Sequence, residues 1–388
     1  MNSYPSRADH SRRWEELAAE IAAAPTPSEN PPPLPAYAPR GTLTVLGSGI
    51  QGLSFTMDCE AKIRNADKVF YCVSNPPTQV WLRSIRPDAY DLYVFYDDTK
   101  PRYHTYIQMS EAMLHPVRQG LNVVSIFYGH PGVFVLSTHR SIEIARREGH
   151  RAVMKAGISA LDCLCADLGV DPSYPGMQTF EATEALLRRR PLDTSLHMVL
   201  WQVGLIGETG YRRLGFINDN FPVLAEYLEA HYGSDHEVTH YIAARFPSFD
   251  PTIAVHKIGE LSDPRLRPSF TGISTFYIPP KNAALTDIDM AVRLGMAEPG
   301  DKPAPRTTLR KTALYGRREL EGVAGFAGFK VPNEFQYQER TRAAEFFIEM
   351  TTNAELEELY RTDPAQAVTE DTFPGLSDLE QTLLVRRD

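Results

Sequence analysis

Cysteine is scarce in this sequence, since the 388 residues include only Cys59, Cys72, Cys163 and Cys165. So few cysteines in so long a chain exclude a disulfide framework. Cys163 and Cys165 form a C-x-C pair, but no second Cys or His pair lies nearby at the spacing of a zinc site. We therefore predict reduced, buried thiols and no metal.

The sequence also lacks long hydrophobic runs and an excess of positive charge. No apolar stretch reaches the length of about 18 residues that a transmembrane helix needs, and the N-terminus has no apolar signal-peptide core. We therefore expect a cytoplasmic protein without a membrane partner. The net charge of −9 argues against a nucleic acid partner, which would be held mainly through its phosphates.

Residues 1–40 are predicted to hold a short amphipathic helix and a linker. The helix covers residues 11–24, and its apolar face is formed by Trp14, Leu17 and Ile21. Seven prolines follow within residues 25–39, a composition typical of an extended polyproline segment. We expect this linker to separate the helix from a folded body that begins near Gly41. The sequence leaves open whether this extension is a dimer arm or a disordered tag.

Apolar, β-rich runs alternate with helical runs through residues 41–281. The first series of predicted strands is TLTVLG, KVFYCV, DLYVFY and LNVVSIFYG. The second series is RAVMKAG, MQTFEA, SLHMVLWQVG, EVTHYIAAR and STFYIPP. This alternation predicts an α/β fold with two lobes and a cleft between them. We place the change of lobe near residues 135–150.

The last hundred residues have a different pattern. Residues 282–338 are polar and irregular, and we predict a connecting segment there. Residues 339–388 are predicted to form a small helical module, in which Ala343, Phe346, Phe347 and Met350 recur at helical spacing. Ser377 and Glu380 are spaced as a capping box at the start of its last helix.

The first candidate ligand loop is TVLGSGIQG, residues 44–52, where Gly47, Gly49 and Gly52 follow the G-x-G-x-x-G spacing. A helical run follows it, so a dinucleotide site is one interpretation. Such a site needs an acidic residue at the end of the second strand, but KVFYCV leads into Ser-Asn-Pro-Pro. The alternative is a tight strand-to-helix turn that depends on glycine, and we favour it.

Three later loops are better candidates for a cofactor site. FYGHPGVF (127–134), AGISALD (156–162) and WQVG (201–204) each follow a predicted strand. Loops at the carboxyl ends of strands are where open α/β sheets bind ligands. Their small residues expose main-chain groups, which predicts a cofactor held largely by the backbone.

A tyrosine-rich segment, DLYVFYDDTKPRYHTYIQMSE, precedes these loops. It contains Tyr93, Tyr96, Tyr103 and Tyr106, with Arg102 among them. Tyrosines of this kind often serve packing alone. A nearby guanidinium, however, favours the phenolate and lowers the pKa of a phenol from about 10. We therefore predict that this group acts as a base or polarises an amide.

These segments together resemble a known family. TVLGSGI, YGHPGVF and AGISALDC resemble the serial motifs of the tetrapyrrole methylases, the class III S-adenosylmethionine methyltransferases. DLYVFYDDTKPRYHTYIQMSE, FYGHPGVFV, ISALDCLCADL and STFYIPPK are similar to the borosin peptide α-N-methyltransferases, which methylate backbone amides of a ribosomally made precursor peptide. The resemblance is dense over residues 41–281 and weaker through the helical end. It implies a parallel first sheet, a mixed second sheet, S-adenosylmethionine as cofactor, and a homodimer embraced by residues 282–388.

The resemblance also implies roles for individual residues. Tyr96 and Arg102 match a pair that deprotonates or polarises the substrate amide, and Tyr106 and Tyr128 match tyrosines that position the amide and the methyl donor. The residues implied to contact the cofactor are Tyr128, His130, Val133, Ser159, Ala160, Gln202, Gly272, Ser274 and Thr275. No metal is required, because the sulfonium is already activated.

The acceptor stays open at this stage. The fungal members of the family continue into a core peptide, whereas this sequence stops at LLVRRD. We expect either a separate peptide acted on in trans or a core that has been removed. Two other interpretations remain: a small-molecule C-methyltransferase of the tetrapyrrole or corrin class, and a non-catalytic module that binds a peptide.

Overall fold

The structure is a computed structural model that describes residues 5–25, 28, 34–35, 38–303, 315–336 and 339–387. Much of the proline-rich linker and the middle of the predicted connecting segment therefore lie outside the described residues. Two five-stranded sheets form the body, and short helices follow them.

The first lobe is built on a parallel sheet. Its strands are β1 (Thr42–Gly47), β2 (Lys68–Cys72), β3 (Tyr90–Asp91), β4 (Asn122–Phe127) and β5 (Arg151–Met154). They lie in the order β3-β2-β4-β1-β5. The helices between them are α2 (Cys59–Asn65), α3 (Pro76–Ile85), α4 (Arg102–Arg118) and α5 (Leu136–Arg147). Parallel strands require such crossovers, and each face of the sheet has its own apolar core.

The second lobe is built on a mixed sheet, as the resemblance implied. Its strands are β6 (Met177–Glu181), β7 (His197–Trp201), β8 (Glu237–Ile242), β9 (Thr252–Lys257) and β10 (Thr275–Ile278). They lie in the order β6-β7-β10-β8-β9, with only β6 and β7 parallel. The helices of this lobe are α6 (Ala160–Leu168), α7 (Ala182–Leu187) and α8 (Phe221–Tyr232).

The predicted change of lobe near residues 135–150 is wrong. Those residues contain α5, the crossover that returns the chain to the first sheet. The strand from RAVMKAG is β5, which pairs in parallel with β1 from Thr42↔Arg151 to Val45↔Met154. The chain therefore leaves the first lobe only after β5, because a parallel neighbour of β1 has to be reached by a further helix.

The segment DLYVFY, predicted as a strand, forms one only at its start. After the two residues of β3 the chain turns into a 3₁₀ helix, Leu92–Phe95. The Asp91 side chain causes the change, because its Oδ1 accepts a hydrogen bond from the Tyr93 N–H at 3.0 Å. The turn places Tyr96 at the end of the 3₁₀ helix instead of within the sheet.

The N-terminal helix, α1 (Arg7–Ala23), is part of the first lobe's core and is not separated from the body as expected. Trp14 is 7% exposed. Its ring meets the rings of Tyr90 and Phe95 edge-on, with 5.0 Å between centroids in each case. Arg13 lies over the Tyr90 ring at 4.5 Å. The helix therefore supports the 3₁₀ segment that carries Tyr96.

The C-terminal part of the chain contains six short helices within the described ranges. They are α9 (Ile288–Arg293), α10 (Arg317–Ala324), α11 (Arg342–Thr352), α12 (Ala354–Thr362), α13 (Pro364–Ala367) and α14 (Asp378–Arg386). The last four form the helical module, with the core Phe346, Leu356, Ala367, Val368, Phe373, Leu376 and Leu384. The capping box of Ser377 and Glu380 is confirmed.

The helical module meets the first lobe through charged side chains. Lys62 pairs with Glu357 of α12, and Arg151 Nη1 lies 2.9 Å from Glu358 Oε2. Lys155 adds an ion pair to Glu357. None of the helices in the described ranges combines the length and apolarity needed to cross a lipid bilayer.

Replacing Trp14 by alanine tests the role of α1. We expect Trp14→Ala to lower the free energy of unfolding by about 3–5 kcal/mol, because it removes a buried aromatic side chain and leaves a cavity. Urea unfolding measures this change. Arg12→Ala, on the exposed side of the same helix, is the control and should change stability little. Equal stability of the two variants would show that α1 does not belong to the core.

Candidate active site

Three backbone segments come into contact at the carboxyl ends of β1, β4 and β5. Gly49 and Gly129 form an antiparallel bridge, with the Gly129 N–H donating to the Gly49 carbonyl at 3.0 Å. A Cβ on Gly47 would lie 2.3 Å from the Gly129 carbonyl oxygen and 3.1 Å from the Cα of Gly157. Only glycine fits there, so the loops can join only because these side chains are missing.

This contact explains the GSGIQG spacing. Gly49 has a φ of +70°, which glycine adopts without strain, and the following helix α2 begins only at Cys59. Between them, Gly52 donates its N–H to the Arg245 carbonyl of the second lobe at 3.2 Å. The glycines therefore serve contacts between loops and between lobes, and not the dinucleotide turn that was one interpretation.

A pocket opens directly beside these loops, between the two lobes. Ile50 and Tyr128 from the first lobe face Ala160, Gln202 and the loop before β10. The pocket is lined by Ile50, Tyr128, Phe134, Ala160, Trp201, Gln202, Ile242, Ala243, Gly272, Ile273, Ser274 and Thr275. Its walls are mostly apolar, with a few polar side chains, which is the usual composition of a small-ligand site.

Six of the nine predicted cofactor residues line this pocket: Tyr128, Ala160, Gln202, Gly272, Ser274 and Thr275. The other three lie outside the lining. His130 Nδ1 accepts a hydrogen bond from the Gly132 N–H at 2.9 Å, and Ser159 caps α6 in a capping box with Asp162. Val133 is 39% exposed. Cofactor contact by these three residues stays a prediction.

Sequence reasoning missed the aromatic wall of the pocket. The rings of Phe134 and Trp201 lie 5.7 Å apart. Phe134 (φ +58°) and Gln202 (φ +56°) both adopt left-handed backbone conformations that are uncommon outside glycine. Such strain concentrates at functional sites. No feature of the sequence signals it, because neither residue type favours that conformation.

The loop before β10 is held by a buried histidine. His240 Nε2 lies 2.7 Å from Ser274 Oγ, and Ser274 Oγ accepts a hydrogen bond from the Thr271 N–H at 2.9 Å. Burial lowers the pKa of His240 to about 4. The imidazole is therefore neutral at physiological pH and can accept a hydrogen bond from the Ser274 hydroxyl group.

The tyrosine–arginine group lies at the start of α4. Thr105 Oγ1 donates to the Phe95 carbonyl at 3.1 Å and so ties α4 to the 3₁₀ helix. This brings Tyr96, Arg102 and Tyr106 close enough to influence one another's ionisation. The structure thus brings together the three residues of this segment that were predicted to be catalytic, whereas Tyr128, the fourth, lines the pocket between the lobes.

The burial of these rings opposes the ionisation that the sequence led us to expect. Burial raises the pKa of Tyr96 well above its usual range, and the neighbouring Cys72, Tyr106 and Tyr93 raise it further. Arg102 lowers that pKa but is the smallest of these influences. Burial also raises the pKa of Tyr106 and of Tyr128. The phenols are therefore protonated at neutral pH and act as hydrogen-bond donors.

A loop of the second lobe completes the group. Residues 207–214, here called the strap, follow β7 and lie against the tyrosine segment. The Tyr211 ring packs on the Tyr96 ring with 4.7 Å between centroids. Arg102 Nη2 donates to the Glu208 carbonyl at 2.9 Å. Sequence reasoning missed Tyr211, because nothing in a single sequence links it to a segment more than a hundred residues earlier.

A sequence profile of the tetrapyrrole (corrin/porphyrin) methylases matches residues 42–243. This match covers both sheets up to the end of β8 and includes the loops that line most of the pocket. The chain therefore belongs to the tetrapyrrole methylase family, and the predicted two-lobed α/β fold is confirmed.

Three curated relatives define its place in the family. A methyltransferase and type III borosin cyclic peptide precursor from Anomoporia bombycina is 42% identical over 95% of this chain and 44% of its own length. The methyltransferase and gymnopeptide precursor of Gymnopus fusipes is 43% identical over 76% of this chain and 73% of its own length. The methyltransferase and omphalotin A precursor of Omphalotus olearius is 45% identical over 72% of this chain and 66% of its own length. The chain belongs with these borosin methyltransferases. It spans less than half the length of the first.

Gly47→Ala tests whether the glycine contact shapes the pocket. The added methyl group would overlap the Gly129 carbonyl, and we expect a loss of about 1–3 kcal/mol of stability from overpacking. Because Ile50 and Tyr128 would shift with the loops, affinity for S-adenosylmethionine should fall at least tenfold by isothermal titration calorimetry. Gly322→Ala on α10, where a Cβ meets nothing within 4 Å, is the control. Unchanged cofactor affinity in Gly47→Ala would contradict this account.

Proposed function

We propose that the protein transfers methyl groups from S-adenosylmethionine to backbone amide nitrogens of a ribosomally made precursor peptide. The observation that carries the proposal is the group of Tyr96, Arg102 and Tyr106, which the connection after β7 joins to a pocket whose lining suits the methyl donor. The names of the relatives, which join a methyltransferase to a cyclic peptide precursor, support it.

The pocket fits S-adenosylmethionine by the chemistry of its lining. The Phe134 and Trp201 rings and the aliphatic side chains offer flat apolar walls for a purine, and Gln202, Ser274 and Tyr128 offer polar groups for the rest of the molecule. We propose that these residues hold the cofactor. When bound, it supplies an activated methyl group on a sulfonium.

The protein's own task is to make an amide nitrogen reactive. That nitrogen is a poor nucleophile, because its lone pair is delocalised into the carbonyl. We propose that the protonated phenol of Tyr96 and the guanidinium of Arg102 donate hydrogen bonds to the amide carbonyl oxygen and stabilise the negative charge that develops there. The nitrogen would take the methyl group as the carbon–sulfur bond breaks, with the sulfur leaving as a neutral thioether and the N–H proton passing to water. Tyr106, which lies next to Tyr96, and Tyr128 are proposed to position the amide.

The acceptor is proposed to be a peptide of the kind that the relatives contain. It is either continuous with this chain beyond Asp388 or a separate molecule. A continuous segment and a separate peptide would share the same chemistry, because each has a flexible backbone that can present successive amides to one site.

An appended tail tests the function directly. A tail of repeated Val-Ile-Gly is added after Asp388, and intact-mass analysis follows incubation with S-adenosylmethionine. We expect the mass of the protein to increase in steps that each correspond to one methylene group. Tyr96→Phe and Arg102→Ala should each slow methylation by about 100-fold or more, because the carbonyl loses a donor, while cofactor affinity is retained.

The control for these variants is Tyr103→Phe, since Tyr103 lies in the same segment but is 59% exposed. It should methylate at the wild-type rate. Full activity of Tyr96→Phe would remove Tyr96 from the mechanism. Methylation of a porphyrin or corrin precursor in place of the tail would favour the small-molecule reaction instead.

We also propose that the protein is a homodimer. The support is an apolar surface without cover: in residues 315–336, all side chains that the structure describes are exposed. The large apolar ones include Tyr315, Leu320, Val323, Phe326, Phe329 and Val331. Monomers rarely expose so much contiguous apolar surface. A second copy is the proposed occupant, because the family resemblance assigns this segment to the partner's surface.

Charged substitutions on this surface test the dimer. We expect Phe326→Asp with Phe329→Asp to weaken self-association at least tenfold, because aromatic anchors dominate interface energies. Light scattering coupled to size exclusion measures the mass. Leu187→Asp, an exposed apolar residue on α7, is the control. A monomeric wild-type protein would refute the proposal.

A further inference from the structure

The connection that follows β7 touches both halves of the proposed site. It starts at Gln202, which lines the cofactor pocket, and continues into the strap, residues 207–214, which lies on Tyr96 and Arg102. A single short stretch of chain thus joins the place of the methyl donor to the group that activates the acceptor.

The first part of this connection is rigid. Val203, Leu205 and Ile206 are buried, and the Val203 N–H donates to the Ser274 carbonyl at 3.3 Å. The buried Asn218 side chain accepts a hydrogen bond from the Ile206 N–H at 3.3 Å and donates to the Val203 carbonyl at 3.0 Å. These bonds fix the connection to the second lobe at every step between the pocket and the strap.

The strap itself is fixed to the first lobe. The Arg102 N–H donates to the Thr209 carbonyl at 3.0 Å, and the Arg102 guanidinium donates to the Glu208 carbonyl at 2.9 Å. The Arg213 N–H donates to Asp98 Oδ1 at 3.1 Å. Between these bonds, Tyr211 places its half-buried ring on Tyr96.

We propose that Tyr211 is a positioning residue that holds Tyr96 and, through the strap, Arg102 at a set place relative to the cofactor pocket. The proposal rests on the peptide methyltransferase function given above. Tyr96 and Arg102 belong to the first lobe, whereas Gln202 and Tyr211 belong to the second. The strap therefore prevents a movement of the lobes from changing the distance between the methyl donor and the acceptor amide.

This geometry matters because methyl transfer requires the two reacting atoms in line at near-attack distance. A displacement of about 1 Å can cost about 100-fold in rate. The tilted contact between the two rings resists sliding, the Glu208 carbonyl directs the guanidinium, and the Thr209 carbonyl holds the Arg102 backbone. Tyr211 acts through Tyr96 and need not touch the substrate itself.

The test compares Tyr211→Ala with Tyr211→Phe in the protein that carries the Val-Ile-Gly tail. In Tyr211→Ala we expect the rate constant of the first methylation to fall at least tenfold while the S-adenosylmethionine dissociation constant is unchanged. Tyr211→Phe should restore most of the rate, because the ring contact does not need the hydroxyl. Leu214→Ala, fully exposed on the same strap, should match the wild type.

A second measurement does not depend on activity. Tyr211→Ala uncovers Tyr96, and because burial is the main reason for the raised pKa of Tyr96, that phenol should ionise at lower pH. Alkaline titration of tyrosinate absorbance detects the shift. The same titration in a Tyr96→Phe background assigns the shifted component to Tyr96, since it should be missing there.

Several outcomes would overturn the proposal. They are an unchanged rate in Tyr211→Ala, an equal loss in Tyr211→Phe, or a loss of cofactor affinity in proportion to the loss of rate. If the wild-type protein leaves the tail unmodified, the peptide methyltransferase function fails. The positioning role rests on that function and fails with it, whereas an active wild-type protein with an unaffected Tyr211→Ala variant refutes the positioning role alone.

Discussion

The close approach of backbone at Gly47, Gly129 and Gly157 is the contact on which the site depends. Three strands of one parallel sheet end there, and their loops join without side chains between them. The residues that follow, Ile50 after β1 and Tyr128 beside Gly129, become pocket walls because their backbones are already fixed. A Cβ on Gly47 or Gly157 would overlap the backbone of a neighbouring loop, separate the loops and move both walls.

The second lobe supplies the other half of the pocket and also reaches back over the first. Gly52 and the Asn75 side chain each donate to the Arg245 carbonyl, and the strap binds the Tyr96–Arg102 segment from the other side. The cleft is therefore closed by hydrogen bonds at two separate places. A site built in this way shields a buried phenol from water, which strengthens each hydrogen bond that the phenol donates.

Much of this arrangement could be predicted from the sequence, because strand and loop signals are local. The glycine loops, the strands before them and the tyrosine–arginine segment were all found in that way. The assignment of β5 to a lobe was not, since an apolar strand of four residues has the same pattern in either sheet. The contacts of Trp14 and Tyr211 join positions far apart in the chain. The raised pKa of Tyr96 depends on the same distant contacts, whereas the sequence shows only that Arg102 is near.

The ion pairs between the helical module and the first lobe have a consequence for how the chain responds to its surroundings. The module buries its own apolar core, so the charged contacts of Lys62, Arg151 and Lys155 attach it without contributing to its folding. Partly exposed ion pairs are weak and are screened by salt. Ionic strength therefore acts on the position of the module while leaving its structure intact. Whatever is joined to the end of α14 moves with the module when the surrounding electrolyte changes.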